Sequence, residues 1–219
     1  MNNLIFILHT IIIALTTITA TKLGRQFAVS TIVIYGILAN LFVLKQISLF
    51  GLEVTSSDVF VVGISLGLNL LQEKYNKETA QATIWMSFWG LLVYTVLSQF
   101  QIWYTPNSLD CTNQHFVALF AIAPRLTAAS LISYLISQTI DVNLYSYLKN
   151  KLTNKLYFIR NYASIAVSQL ADTIIFSILG LYGLGYNLVH IIIFSYLIKL
   201  IAITLAIIVT TSLRKFIKI

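Results

Sequence analysis

Runs of about twenty residues with almost no charge recur along this chain, and no other feature constrains its fold as tightly. A helix needs about 20 apolar residues to cross the hydrocarbon core of a bilayer, with a range of about 17–25. Seven runs qualify: Leu4–Thr21, Phe27–Ser48, Asp58–Gln72, Ala80–Tyr104, Pro124–Leu148, Asn161–Tyr182 and Leu188–Ser212. Only 10% of the residues are charged, 58% are hydrophobic, and mean hydropathy is +0.85. Soluble domains carry roughly 25% charged residues because their surfaces meet water. A surface this poor in charge faces lipid. The expected fold is an all-α, polytopic membrane bundle of about seven helices, one domain over residues 1–219 with no room for a soluble one. The third run is short and interrupted by Gly63 and Gly67. A break at Ile122–Pro124 puts Pro124 at the first position of the fifth helix, where its missing N–H costs nothing.

The net charge of +7 would suit a nucleic-acid partner. The distribution argues against one, because the cations cluster between apolar runs as membrane topology requires. Lys22 and Arg25 follow the first run, and Lys74 and Lys77 the third; Lys149, Lys151, Lys155 and Arg160 separate the fifth from the sixth, and Arg214, Lys215 and Lys218 close the chain. With seven spans these 11 of the 14 basic residues share one side. The alternate loops hold Glu53, Asp58 and Asp110 and no Lys or Arg. The expected topology is therefore multi-pass in a cell (inner) membrane, with the C-terminus cytoplasmic and the N-terminus outside. Met1–Leu4 lacks positive charge and Ala14–Lys22 offers a poor cleavage site, which argues against a cleaved leader. The single cysteine, Cys111, excludes an intramolecular disulfide and a cysteine-based zinc site, and reads as a neutral loop residue.

Ionisable groups inside a bilayer cost at least ~2.5–3.5 kcal/mol, so those that remain carry information. Lys45, Arg125, Asp141, Asp172 and Lys199 fall within or at the ends of runs, as does the amide of Asn69. The fifth run carries Thr127, Ser130, Tyr134, Ser137 with Gln138, Asp141 and Tyr145, and steps of three and four put these on one helical face. The sixth repeats the pattern with Asn161, Ser164, Ser168 with Gln169, Asp172 and Phe176. Both contain Ser-Gln-x-x-Asp and then an aromatic four residues later, the kind of internal likeness common in transporters. At ~1.5 Å per residue, Asp141 lies ~12 Å and Asp172 ~17 Å from the basic side. Lys199 is near the middle of the last run. All three stand close to the midplane, where transporters hold substrate. Plainer roles compete: Ser and Thr serve helix packing, an Asp172–Lys199 pair neutralises both groups, and Arg125, opposite the stripe, can pair with the break at Pro124. His9 and His190 read as interfacial packing rather than metal ligands. Trp85, Trp89, Trp103 and Tyr104 read as lipid-facing or interfacial residues.

These motifs resemble the queuosine-precursor transporter family, once grouped with vitamin uptake transporters. The resemblance rests on Arg125-x-x-x-Ala-Ser130, Tyr134 and Gln138-x-x-Asp141, and on Arg160-Asn161 with Ser168-Gln169-x-x-Asp172-Thr173-x-x-Phe176. Ala39-Asn40-Leu41 through Lys45 and Gly51, and Leu66–Trp85, add to it. It covers roughly Ala39 to Ile203, and the paired Gln-x-x-Asp motifs are its most specific part. It implies a six-helix core, to which Leu4–Thr21 is an addition. Asn69 stands where the family usually has Asp, and Asn76 where it has Gly.

The resemblance implies import of queuine or of a 7-cyano- or 7-aminomethyl-7-deazaguanine precursor for tRNA modification. The side chains suit such a base, whose N–H edge meets carboxylates and whose carbonyl meets Gln, Asn, Lys or Arg. On this reading the site lies between the third, fifth, sixth and seventh runs. Asp141 and Asp172 take donors, a cationic aminomethyl group or a coupling proton; Gln138 and Gln169 orient the base; Tyr134, Tyr145 or Phe176 stack on it. Asn69 and Glu73 complete the wall, with Lys199 and Arg125 as further contacts. The partners are this small molecule and the bilayer, no cofactor is expected, and a homo-oligomer is compatible with the sequence. No phosphate-binding loop is present, so the chain does not itself use ATP and is not expected to be an enzyme. The rivals are a substrate-capturing subunit served by a separate ATPase module and, remotely, an intramembrane aspartyl protease using Asp141 and Asp172. Ile140 and Ala171 before the aspartates depart from the protease motifs.

Overall fold

In lipid every backbone N–H and C=O must be satisfied within the protein, and helices do so segment by segment. The computed structural model of the protein describes residues 1–120, 124–152, 156–183 and 187–217; Ile122, Lys155 and Lys218 lie outside them. Its helices are α1 (Asn2–Leu23), α2 (Arg25–Phe42), α3 (Asp58–Lys74), α4 (Lys77–Trp103), α5 (Asn113–Phe120), α6 (Pro124–Lys151), α7 (Tyr157–Phe176) and α8 (Leu188–Ile217). Strands β1 (Gln46–Leu49) and β2 (Leu52–Thr55) pair antiparallel between α2 and α3, and a π-helical turn, Ser177–Leu181, extends α7.

A long helix occupies each of the seven expected places, but the count of crossings is lower on length and apolarity alone. Five described helices qualify: α1, α2, α4, α7 with its π turn, and α8; α5 and α6 together, bent by 49°, make a sixth. The helix α3 has only 17 residues, of which 14 are buried. It is the central post of the bundle, wrapped by α1, α2, α4, α6, α7 and α8. The bundle is a multi-pass membrane fold that buries polar side chains among a large apolar core and leaves many large apolar side chains on its outer surface. Trp85 and Trp89 are 64% exposed and Trp103 and Tyr104 70%, as lipid-facing or interfacial residues should be.

Three expectations need correction. The second helix stops at Phe42 rather than running to Ser48, because the chain turns into the hairpin. Phe50 and Gly51 at its tip both have positive φ, 51° and 82°, the geometry of a two-residue turn that matches strand twist. Lys45 therefore lies in the exposed connection before β1, so the loops opposite the basic clusters do hold a lysine. The sixth helix starts at Tyr157, which moves Arg160 out of the loop and into the bundle, where it is fully buried. The helix α5 was not expected at all.

The termini of α1 and α3 are tied down by their neighbours. Asn2 Nδ2 donates to the Ser48 carbonyl at 3.2 Å, and the Phe50 N–H donates to Asn3 Oδ1 at 3.0 Å, so α1 holds the hairpin. At the other end Lys74 Nζ donates to the Thr21 carbonyl at 2.6 Å and Lys149 Nζ to the Gln72 carbonyl at 2.8 Å. Asn76 caps α4 by accepting from the Thr79 N–H at 2.8 Å, a side-chain hydrogen bond that Gly at this place could not make. The helix α1 packs on α3 through Gly63, where an added Cβ would stand 2.5 Å from Ile13 Cγ2 and 3.1 Å from the Tyr35 ring. We expect Gly63→Ala to destabilise the purified protein by about 1–3 kcal/mol through overpacking, read as a lower midpoint of thermal unfolding; an unchanged midpoint would show that α1 can yield there.

Cys111 is free and exposed between α4 and α5. Being the single thiol, it reports sidedness cleanly. A membrane-impermeant maleimide added to intact cells should label it; labelling only after the membrane is opened would reverse the topology.

Candidate functional site

One face of α3 carries Asp58, Ser65, Asn69 and Glu73, and each meets the α6–α7 pair or α8 at a different level. Because α6 and α7 run antiparallel, their Ser-Gln-x-x-Asp motifs coincide at the glutamines and diverge beyond them. Ser65 Oγ donates to Gln138 Oε1 at 3.0 Å and accepts from Gln169 Nε2 at 3.2 Å. Three residues further along each helix, Asp172 moves toward the hairpin end and Asp141 toward the basic end.

At the hairpin end a cavity of about 810 Å³ is lined by α2, α3, α6, α7, α8 and the hairpin, with exposed Gln46 and Glu53 on its rim. Within it Lys199 Nζ lies 2.9 Å from Asp172 Oδ2 and 3.8 Å from Asp58 Oδ1, and donates to Thr173 Oγ1 at 3.0 Å. Ser195 Oγ donates to Asp58 at 3.2 Å, and Ser137 Oγ to Asp172 at 3.4 Å. One ammonium thus serves two carboxylates, a cost the chain bears inside a membrane. Tyr134 and Phe176 supply aromatic surface, and the buried Tyr134 hydroxyl makes no hydrogen bond. Ser130 Oγ, also in the wall, donates to Asn40 Oδ1 at 3.0 Å.

Below the cavity lies a sealed polar layer. Ser65, Asn69, Gln138, Asp141, Ser164 and Gln169 are all 0% exposed. Asn69 Nδ2 donates to Ser164 Oγ at 3.1 Å. Neither Asp141 oxygen makes a hydrogen bond, although Ser65, Asn69 and Ser164 are its polar neighbours.

At the basic end Glu73 gathers cations. Arg160 Nη2 stands 2.8 Å from Glu73 Oε1, as an ion pair out of line for a hydrogen bond, and Lys149 Nζ stands at 3.6 Å. The Tyr145 hydroxyl donates to the same oxygen at 2.6 Å. The guanidinium lies between the rings of Tyr145 and Tyr157, 5.8 and 5.5 Å from their centres.

The sequence-predicted site therefore divides. Asp172, Lys199, Tyr134 and Phe176 meet in the cavity; Gln138, Gln169, Asp141 and Asn69 form the sealed layer; Glu73 and Tyr145 join the ion cluster at the basic end. Arg125 stands apart, exposed, donating from Nε to the Leu179 carbonyl and from Nη2 to the Tyr182 carbonyl, each at 2.7 Å. It caps the end of the π turn. Sequence reasoning passed over Asp58 as the second partner of Lys199, and Arg160 as the partner of Glu73. The step of seven from Asp58 to Ser65 puts both on the inward face of α3 but cannot name a partner on α8, whereas a helix start read four residues earlier would have found Arg160. Asp141 and Asp172 do not form a hydrogen-bonded dyad, since Asp172 pairs with Lys199 and the polar neighbours of Asp141 are Ser65, Asn69 and Ser164.

Two comparisons bear on this arrangement. A family model described as "Putative vitamin uptake transporter" matches residues 55–213. A protein of Bacillus subtilis (strain 168), named "Probable queuosine precursor transporter", is 38% identical over 165 residues, covering 74% of this chain and 72% of that protein. No solved structure matches.

Proposed function

Because the chain belongs to the family described as "Putative vitamin uptake transporter" and is 38% identical to the Bacillus subtilis protein named "Probable queuosine precursor transporter", we propose that it imports a queuosine precursor. The substrate is queuine or 7-cyano- or 7-aminomethyl-7-deazaguanine. The observation that supports this most is the cavity that ends on the Asp172–Lys199 pair. Its volume is within the range of small-molecule sites, roughly 300–1,000 Å³. A deazaguanine presents N–H donors beside a carbonyl, and Asp172 and Lys199 present a carboxylate beside an ammonium. Binding replaces one charged pair by two complementary contacts on the base, while Asp58 remains to hold Lys199. Phe176 or Tyr134 covers the ring face.

The basic end faces the cytoplasm, in keeping with the excess of Lys and Arg there, so the cavity opens outward. The Glu73–Arg160–Tyr145 cluster then closes the inner end, and import requires it to part. The chain works as a transporter, not an enzyme, and needs no separate ATPase module. The test is expression of this chain alone in a strain that can neither make the precursor nor take it up. Supplied precursor should restore queuosine to tRNA; no restoration with any of the three compounds, despite protein in the membrane, would overturn the proposal.

A further inference from the structure

In the layer beneath the cavity several acceptors are left without a donor. Four oxygens in it make no hydrogen bond: both of Asp141, Asn69 Oδ1 and Gln169 Oε1. A buried polar group left unpaired costs roughly 1–3 kcal/mol, and an isolated charge far more. The four belong to one connected cluster. Asn69 bonds to Ser164, Gln169 bonds to Ser65, and Asp141 has Ser65, Asn69 and Ser164 as its polar neighbours. Among the described residues no cation pairs with the carboxylate. Lys199 is engaged by Asp172 and Asp58 at the level above, and Arg160 and Lys149 by Glu73 at the level below.

We infer that this layer is a binding site for a monovalent metal cation of the sodium class, with Asp141 as its charged ligand and Asn69, Gln169, Ser65 and Ser164 as neutral oxygen ligands. One carboxylate matches one positive charge. Hard cations take several oxygen ligands at once, so one ion can answer several of the unpaired acceptors, whereas a proton on Asp141 supplies one donor to one of them. The surroundings do not suit a transition metal, because among the described residues no three His, Cys, Asp or Glu side chains gather. The position gives the ion a purpose if the chain is a transporter, and to that extent the inference rests on the proposed function. Gln169 and Ser65 bridge the layer to α3, and Ser137, one residue before Gln138, reaches up to Asp172. An ion that draws α3, α6 and α7 together thus acts on the helices that also form the cavity floor, and its gradient can drive import.

The test is equilibrium binding of radioactive sodium ion to the purified full-length chain, with no deazaguanine present. Saturable binding is expected in the wild type, competed by unlabelled sodium and not by choline. Asp141→Asn should abolish it, and Asn69→Leu should weaken it about tenfold, near 1.4 kcal/mol. Should Asp141→Asn fail to fold, Asn69→Leu carries the same test. Absence of saturable binding in the wild type would overturn the inference, as would unchanged affinity in Asn69→Leu. Deazaguanine uptake into proteoliposomes at full rate with choline in place of sodium would also overturn it while leaving the transport function standing; sodium binding without uptake would do the reverse.

Discussion

Replacing Asp172 by Asn is expected to abolish uptake of the deazaguanine while the protein still inserts and folds. The substitution keeps the shape of the side chain and removes its charge. Lys199 does not become stranded, because Asp58 Oδ1 lies 3.8 Å from it and Thr173 Oγ1 at 3.0 Å. What is lost is the carboxylate facing the base. Removing one partner of a buried, hydrogen-bonded charge pair costs about 2–5 kcal/mol in binding, or roughly 30- to several thousand-fold at 1.4 kcal/mol per tenfold. Initial uptake rates and elution on size exclusion measure the two parts of the claim. Wild-type uptake in the variant would make Asp172 dispensable and remove the cavity floor from the account.

The second large effect concerns stability and belongs to the basic end. Arg160 has a fully buried side chain and Glu73 one that is 5% exposed. Breaking a buried ion pair by removing one member typically costs about 3–5 kcal/mol, because the other charge stays behind without compensation. Arg160→Met should therefore lower thermal stability severely, with Lys149 at 3.6 Å only a partial substitute. Adding Glu73→Gln to Arg160→Met should restore much of the loss, since no uncompensated charge then remains. The thermal midpoints of the two single variants and the double variant form a cycle that isolates the pair. Additive losses would mean that the two residues do not act as a pair, and that the inner end is closed by something else.

How far the sequence foretold this arrangement depends on what kind of information each feature carries. Apolar runs read out directly as helices because lipid leaves the backbone no alternative. The polar stripes of α6 and α7 were legible as faces, since a step of three or four residues fixes azimuth. Periodicity does not say which residue on a neighbouring helix shares a given height. For that reason Asp141 and Asp172 looked equivalent, whereas the antiparallel packing of α6 and α7 sends one toward Lys199 and the other into a layer without cations. Lys199 was legible as a midspan charge, and its pairing with Asp172 was foreseen; Asp58 was not, because an acidic residue at the start of α3 reads equally as a helix N-terminal charge. Arg160 was hidden by its company, three lysines in the same connection. The hairpin was hidden because Phe42–Leu49 is apolar enough to pass as helix, and only the positive φ at Phe50 and Gly51 distinguishes it. Asn76 shows the converse case, a departure from the family pattern that reads in the structure as a helix cap.

The measurement closest to the central claim is equilibrium binding of queuine and its 7-cyano and 7-aminomethyl precursors to the purified chain, with guanine as the competitor lacking the 7-deaza side group. The account predicts saturable binding of at least one of the three, weaker for guanine, and lost or reduced by tenfold or more, about 1.4 kcal/mol, in both Asp172→Asn and Lys199→Met. Binding of equal strength in the wild type and in both variants, or binding of none of the three compounds, would contradict it.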